Sequence, residues 1–281
     1  MPKPPEANRL GIIAGGGALP ERLAQAATAA GRAPFLVGIA GAAEPAALAA
    51  YPHVSLDIAA VGALIDALRA AGCAEVVLAG HLKRPAFVEL RPDWRGLKLM
   101  PRIIAAARKG DDALLSTLVA YLEEEGFRVI GADQVLADLL APLGPVGRLA
   151  PAATDLRDIA CAAAAALELG RRDIGQAAVA RDGAVLGLEA ADGTDALLKR
   201  CARLQPPGRG GVLAKLAKPG QERRVDLPAI GVATVERAAA AHLAGIAIEA
   251  GGALILERPA VAAAANAAGL FVIGIARPDE G

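Results

Sequence analysis

The residues best suited to chemistry lie between Lys215 and Pro228, in the segment Lys215-Leu-Ala-Lys218-Pro-Gly-Gln221-Glu-Arg223-Arg224-Val-Asp226-Leu-Pro228. Four cations and an amide precede an aspartate within a dozen positions. Cations neutralise a diphosphate, and a carboxylate beside it can hold a hard metal such as Mg²⁺ through oxygen. Lys215 lies on a strand-like run and Asp226 lies beyond a Pro219-Gly220 turn, so the two ends can approach each other. The plainer reading of the same residues is a solvated hairpin laced with ion pairs.

Three glycine-bearing turns add anion chemistry. Gly15-Gly16-Gly17 follows a short apolar run and precedes an alanine-rich helical stretch. Such a turn can bring backbone N–H groups and a helix N-terminus to a phosphate, or be a tight strand-to-helix connection with no ligand. It is not a dinucleotide fingerprint, because Pro20 takes the third glycine position and no acidic residue follows the second strand at Gly38–Ala40. No Gly-Lys-Ser/Thr follows, so it is not a P-loop. Gly80-His-Leu-Lys83-Arg84-Pro85 sits at the carboxyl end of another strand-like run, where open parallel sheets bind ligands. Lys83 and Arg84 there can fork an anion or form a solvated charge pair. In Ala191-Asp192-Gly193-Thr194-Asp195, Thr194 or Asp195 can cap the next helix. The three histidines form no metal motif, and no nucleophile elbow occurs.

These turns need a frame to hold them. Strand-like Leu10–Ala14, Pro34–Ile39, Glu75–Ala79 and Phe127–Ile130 alternate with helix-like Leu19–Ala30, Ala59–Ala71 and Asp112–Glu125. That alternation predicts an α/β fold with a parallel sheet covered by helices. Pro142–Gly147 is rich in proline and glycine and reads as a linker, dividing the chain into domains at 1–143 and 144–281. Beyond it, Thr154–Leu169 reads as a helix. Gln176–Ala180 and Ala184–Ala190 read as a hairpin about Asp182-Gly183. Further helices are expected at Ala196–Leu204, Val232–Leu243 and from Val261. Strands are expected at Val212–Lys218, Gly245–Glu249, Leu254–Glu257 and Phe271–Ile275, giving a mixed α/β second half.

Composition narrows the function classes. The chain has 281 residues, enough for two domains, since single cores stop growing near about 250–300 residues. Lys plus Arg and Asp plus Glu are both 30, so the basic surplus of a nucleic-acid binder is missing. Aromatics make up 2%, too few for base-stacking platforms. Cys73, Cys161 and Cys201 are odd in number and far apart, which fits reduced, buried thiols in a reducing compartment. The start, MPKPPEANRLGIIAGGG, lacks a signal-peptide layout, and no apolar run reaches about 18 residues unbroken, so the expected location is the cytoplasm.

Several segments, taken in order, resemble one family. They are Leu10-Gly-Ile-Ile-Ala-Gly-Gly-Gly-Ala-Leu-Pro20, Lys83-Arg84-Pro85, Gly110-Asp111-Asp112, Asp173-Ile-Gly-Gln176, Gly193-Thr-Asp195, and Lys218-Pro-Gly-Gln221 with Arg224, Asp226, Pro228 and Gly231. Together they resemble the LpxI-type UDP-2,3-diacylglucosamine pyrophosphatases, across nearly the whole chain. The resemblance implies a Gram-negative lipid A pathway enzyme that hydrolyses UDP-2,3-diacylglucosamine to 2,3-diacylglucosamine 1-phosphate (lipid X) and UMP with Mg²⁺, water attacking the β-phosphorus. It implies an N-terminal Rossmann-like domain and a C-terminal α/β domain with substrate between them, and a homodimer. Carried over, Asp226 is metal ligand or water-orienting carboxylate, and Lys215 and Lys218 stabilise diphosphate charge. Gly15, Gly16, Gly17, Lys83, Arg84, Thr194, Gln221 and Arg224 would position the UDP-sugar. Glu222 and Asp192 stand where the family often has Asp and Glu, keeping the charge. Two acyl chains call for an apolar groove, which alanine- and leucine-rich helices can line, and for transient contact with the inner membrane surface. Two other classes fit the residues alone: a nucleotide-dependent oxidoreductase with a degenerate Rossmann turn, and a non-catalytic nucleotide- or lipid-sensing protein.

Overall fold

A computed structural model describes residues 9–82 and 90–278. The chain divides into two units, one of residues 1–137 with 222–226, the other of residues 138–221 with 227–281.

The first unit begins with β1 (Arg9–Ala14), α1 (Leu19–Ala29), β2 (Ala33–Ile39), α2 (Pro45–Ala49), β3 (His53–Leu56), α3 (Val61–Ala70) and β4 (Glu75–Ala79). It continues with α4 (Trp94–Ala107), α5 (Asp111–Glu124), β5 (Arg128–Val129) and α6 (Ala132–Val135). Its strands form one parallel sheet in the order β3-β2-β1-β4-β5. The parallel sheet follows from near-continuous apolar strands, since a strand covered on both faces buries every side chain: five of the six residues of β1 are buried. Ile13, Val37, Ile65, Leu68, Val76, Val119 and Phe127 make its core, against which Val225 also packs.

The second unit contains β6 (Gly144–Pro145), α7 (Ala153–Arg171), β7 (Ala177–Arg181), β8 (Ala184–Leu188), α8 (Gly193–Leu204), β9 (Val212–Lys215) and β10 (Ala229–Ile230). It ends with α9 (Val232–Ala240), β11 (Gly245–Glu249), β12 (Leu254–Ile255), α10 (Arg258–Ala268) and β13 (Phe271–Ile275). The main sheet is mixed, in the order β6-β13-β11-β9-β7-β8, with β9, β11 and β13 parallel and β6, β7 and β8 antiparallel to their neighbours. The β7–β8 turn has Asp182 and Gly183 at φ +55° and +76°, the double left-handed turn expected of an Asp-Gly hairpin.

Several elements differ from the sequence expectation. The proline-rich stretch read as a linker contains β6, an edge strand on β13. A proline at an edge leaves no ladder donor missing. Alanines 162, 163 and 166 of α7 pack directly on Ala178, Ala180 and Ala214 of the sheet. Small side chains on both surfaces bring helix and sheet close. Burial pushes the Cys73 thiol up to about 11, as suits an inert core residue.

Candidate functional site

In the first unit the strand order reverses between β1 and β4, the switch point where open α/β sheets take ligands. The turn Gly15–Gly17 leaves β1 there, and Gly80-His81 leaves β4 beside it. Gly16 and His81 exchange a pair of backbone hydrogen bonds at 2.9 and 3.0 Å, and the Gly15 N–H donates to the Ala79 carbonyl at 2.8 Å. The amides of Gly15 and Gly16 thus tie the two turns together and do not point at a ligand. Glycine is required for that approach. A Cβ on Gly15 would sit 2.7 Å from the His81 carbonyl oxygen, and one on Gly16 would sit 2.8 Å from the His81 ring. Gly17, at φ +91°, leads into α1, with the His81 imidazole alongside. Lys83 and Arg84, from the same turn, lie outside the described residues.

The segment 222–226 forms a turn at the carboxyl edge of this sheet, with the Asp226 and Val225 amides both donating to the Glu222 carbonyl at 3.1 Å. The Glu222 N–H donates to Asp112 Oδ1 at 2.9 Å, at the start of α5. Arg224 donates to both Glu222 carboxylate oxygens at 2.8 and 2.7 Å, to Glu123 Oε1 at 2.5 Å, and to the Val129 carbonyl at 3.5 Å. Hydrogen bonding from Arg224 holds the Glu222 carboxyl below its usual value, against the opposing effect of burial, and its partners hold the guanidinium fully charged. Arg224 therefore anchors the loop from which half-buried Asp226 projects.

The second unit gathers its polar groups at the carboxyl ends of β9 and β11. Lys215 ends β9, is 9% exposed, and donates through Nζ to the Ala229 carbonyl at 3.1 Å. Glu249 ends β11 and is 4% exposed. Its carboxylate accepts from the Ala217 N–H at 3.0 Å and from Arg277, just past β13, at 3.1 Å. Arg277 also donates to the Ala217 carbonyl at 3.1 Å, so Glu249 and Arg277 brace the backbone between Lys215 and Lys218. Lys218 Nζ contacts Asp173 Oδ1 at 2.6 Å, and Gln221 Oε1 accepts from the Lys218 N–H at 2.9 Å.

Because β7 runs antiparallel to β9, with Ala177 opposite Lys215, the start of β7 and the end of β8 share this edge. Buried Glu189 lies there. It accepts from the Gln176 N–H at 2.8 Å and from the Thr194 hydroxyl. Thr194 does not cap α8, and Asp195 pairs instead with Arg237 at 3.3 Å. One edge of the second unit thus brings together Lys215, Lys218, Gln221 and Thr194. Arg224, Asp226 and Gly15–Gly17 belong to the first unit. Two lysines, one on the Ala229 carbonyl and one on half-buried Asp173, flank a backbone braced by Arg277 and buried Glu249, an arrangement suited to polyanion binding.

Residues 9–139 match the LpxI N-terminal domain and residues 142–273 match the LpxI C-terminal domain. The chain belongs to the LpxI family. An LpxI relative from Caulobacter vibrioides, named UDP-2,3-diacylglucosamine pyrophosphatase LpxI, is 50% identical over 273 residues, covering 95% of this chain and 97% of that protein. Both LpxI domains are α/β, as expected from the strand and helix alternation.

Sequence reasoning gives no role of their own to His81, Asp173, Glu249 and Arg277. A signal for Glu249 is present: a lone carboxylate closing the otherwise apolar strand Gly-Ile-Ala-Ile-Glu. His81 belongs to no metal motif, although its place beside a glycine turn needs no metal. No helix of the described residues is long and apolar enough to cross a membrane.

Proposed function

We propose that this protein hydrolyses the diphosphate of UDP-2,3-diacylglucosamine, giving 2,3-diacylglucosamine 1-phosphate and UMP, in lipid A biosynthesis. The observation that carries this reading is the end-to-end match to the Caulobacter vibrioides pyrophosphatase, at 50% identity over 95% of the chain. The cationic edge and the Asp226 turn are the groups assigned to it.

Water attacks the β-phosphorus. The bridging oxygen between the phosphorus atoms leaves with UMP, and the water oxygen stays on the sugar phosphate. Lys215 and Lys218 stabilise the negative charge that gathers on the diphosphate, the largest contribution expected in phosphoryl transfer. Their positions are fixed beforehand by the Ala229 carbonyl, Asp173 and the Glu249–Arg277 brace. Gln221, Thr194, Gly17, Lys83 and Arg84 position the UDP-sugar, Gly15 and Gly16 serving only to hold the turn. Arg224 takes part by holding the Asp226 loop.

Among the described residues no three His, Cys, Asp or Glu side chains come together as a metal cage. Mg²⁺ is commonly held by one or two carboxylates together with substrate phosphates, so Asp226 with the diphosphate meets its needs. Bound there, Mg²⁺ would neutralise phosphate charge. Asp226 also accepts a hydrogen bond from the attacking water and fixes its line of approach.

Incubating the purified protein with UDP-2,3-diacylglucosamine and Mg²⁺ in ¹⁸O-water tests the reading. The label should enter 2,3-diacylglucosamine 1-phosphate. Label in UMP would move the attack to the α-phosphorus, and absence of both products would overturn the function. Chelation with EDTA should stop turnover and leave the melting midpoint unchanged, since the fold of the described residues is held by apolar cores.

A further inference from the structure

α4 has two unlike faces. Positions 94, 97, 98, 101, 102, 105, 108 and 109 fall at helical spacing, and all eight are exposed. Trp94 is 69% exposed and Leu97 is 54% exposed. From Trp94 to Lys109 the chain carries five cations and no acidic residue. Asp66 pairs with Arg95 at 3.2 Å and Glu124 pairs with Arg102 at 2.7 Å, while Lys98, Arg108 and Lys109 stand on the solvent side. The Lys98 ammonium lies 5.0 Å from the centre of the Trp94 ring. On the opposite face, Gly96, Leu99, Met100 and Ile103 line an apolar cavity of about 120 Å³ with Ile58 and Leu118.

An exposed tryptophan and leucine beside clustered cations is an unusual surface in a chain with one tryptophan and no net charge. Water has little to offer the indole. The boundary of a bilayer satisfies every part of it: the ring at headgroup level, the leucine at the acyl margin, and the cations on anionic headgroups. We propose that the outer face of α4 docks the protein on an anionic lipid surface, with Trp94 and Leu97 at the interface and Lys98, Arg108 and Lys109 on the headgroups. Charge complementarity selects this occupant: a second copy would set one cationic stripe against another. The purpose of docking, access to a membrane-borne substrate, rests on the function proposed above; the docking itself does not.

Trp94 is the sole tryptophan, so its fluorescence reports on this face alone. The full chain is mixed with vesicles of phosphatidylcholine, with or without phosphatidylglycerol, and followed by flotation and emission wavelength. Flotation and a blue shift are expected with the anionic vesicles, reversed by high salt. Each cation near such a surface adds about fivefold in affinity, so K98Q/R108Q/K109Q should weaken binding by about 10²-fold. Leu97→Ser should weaken it without altering charge. Both variants should melt as wild type and hydrolyse detergent-dispersed substrate at the wild-type rate. Docking is overturned by any of three results: no flotation with anionic vesicles, equal binding by the triple variant, or a blue shift that grows with protein concentration alone, which marks self-association. Flotation without hydrolysis of dispersed substrate would sink the proposed function and leave docking standing. Hydrolysis without flotation would do the reverse.

Discussion

The side chains of residues 222–226 divide their tasks. Arg224 is gripped by Glu222 and Glu123, and Asp226 is the loop's other carboxylate, the one assigned to chemistry. Asp226→Asn keeps the size and polarity of the side chain and removes its charge. Steady-state kinetics on UDP-2,3-diacylglucosamine should show kcat falling by about 10²–10³-fold with KM little changed, the pattern of a transition-state interaction. A large rise in KM alone would make Asp226 a substrate-binding group. Glu222 has a different test, in pH. Its carboxyl is held below the usual value in the folded protein, chiefly by hydrogen bonding from Arg224. Its contribution to stability is therefore complete above the usual carboxylate range and is lost as pH falls through the lowered folded value. Melting curves from neutral to acid pH should show a smaller acid-side loss in Glu222→Gln than in wild type. Because the pair is partly exposed, the difference at neutral pH should be about 1 kcal/mol or less.

At the scale of elements, the two turns at the β1–β4 switch point behave as one structure. Gly80 has φ +89°, and a Cβ there would lie 2.5 Å from the Gly16 carbonyl oxygen. Gly80→Ala should cost about 1–3 kcal/mol in thermal unfolding, through left-handed strain and the displaced neighbour. A loss of a few tenths would mean that the turns part easily. Glycine is legible in the sequence as a turn signal, yet its use differs from the one read there. The Gly15 and Gly16 amides face β4, because hydrogen bonds between loops cannot be read from a run of glycines. The parallel strands β1, β2 and β4 are legible, since continuous apolar runs flanked by glycines admit few other readings. α4 is not legible. Gly96 and Pro101 break its pattern, but Pro101 faces solvent, and Asp93 rescues the start by accepting the Gly96, Gly62 and Ala63 amides at 2.8, 2.6 and 3.1 Å. β3 escapes notice for a simpler reason: His53–Leu56 is an edge strand with no buried residue and hence no hydrophobic signature.

For the whole molecule, the order of residues along the chain is a poor guide to which core each one serves. The grouping of Lys215, Lys218, Gln221 and Asp226 is visible as a polar and charged cluster on one stretch of sequence. The allocation of 222–226 to the first unit is not, because five residues carry no periodicity and their anchors, Asp112, Glu123 and Val129, are about a hundred positions away in the chain. The pairing of Glu249 with Arg277 is hidden for the same reason, since the two are distant in sequence and only the sheet brings them together. This allocation makes a prediction about where damage will be felt. Val225 packs on the core that contains Val119, Phe127 and Val129. Val225→Asp places a charge against that core and should destabilise it by about 1–3 kcal/mol. Amide hydrogen exchange locates the effect. Protection should fall in β4, β5 and α5, all more than ninety positions upstream of the substitution, and should persist in β7, β9 and β11, which lie nearer in sequence. Loss of protection confined to β9 and β11 would show that residue 225 belongs energetically to the second unit, and the Asp226 loop would then lose its anchorage on the first core.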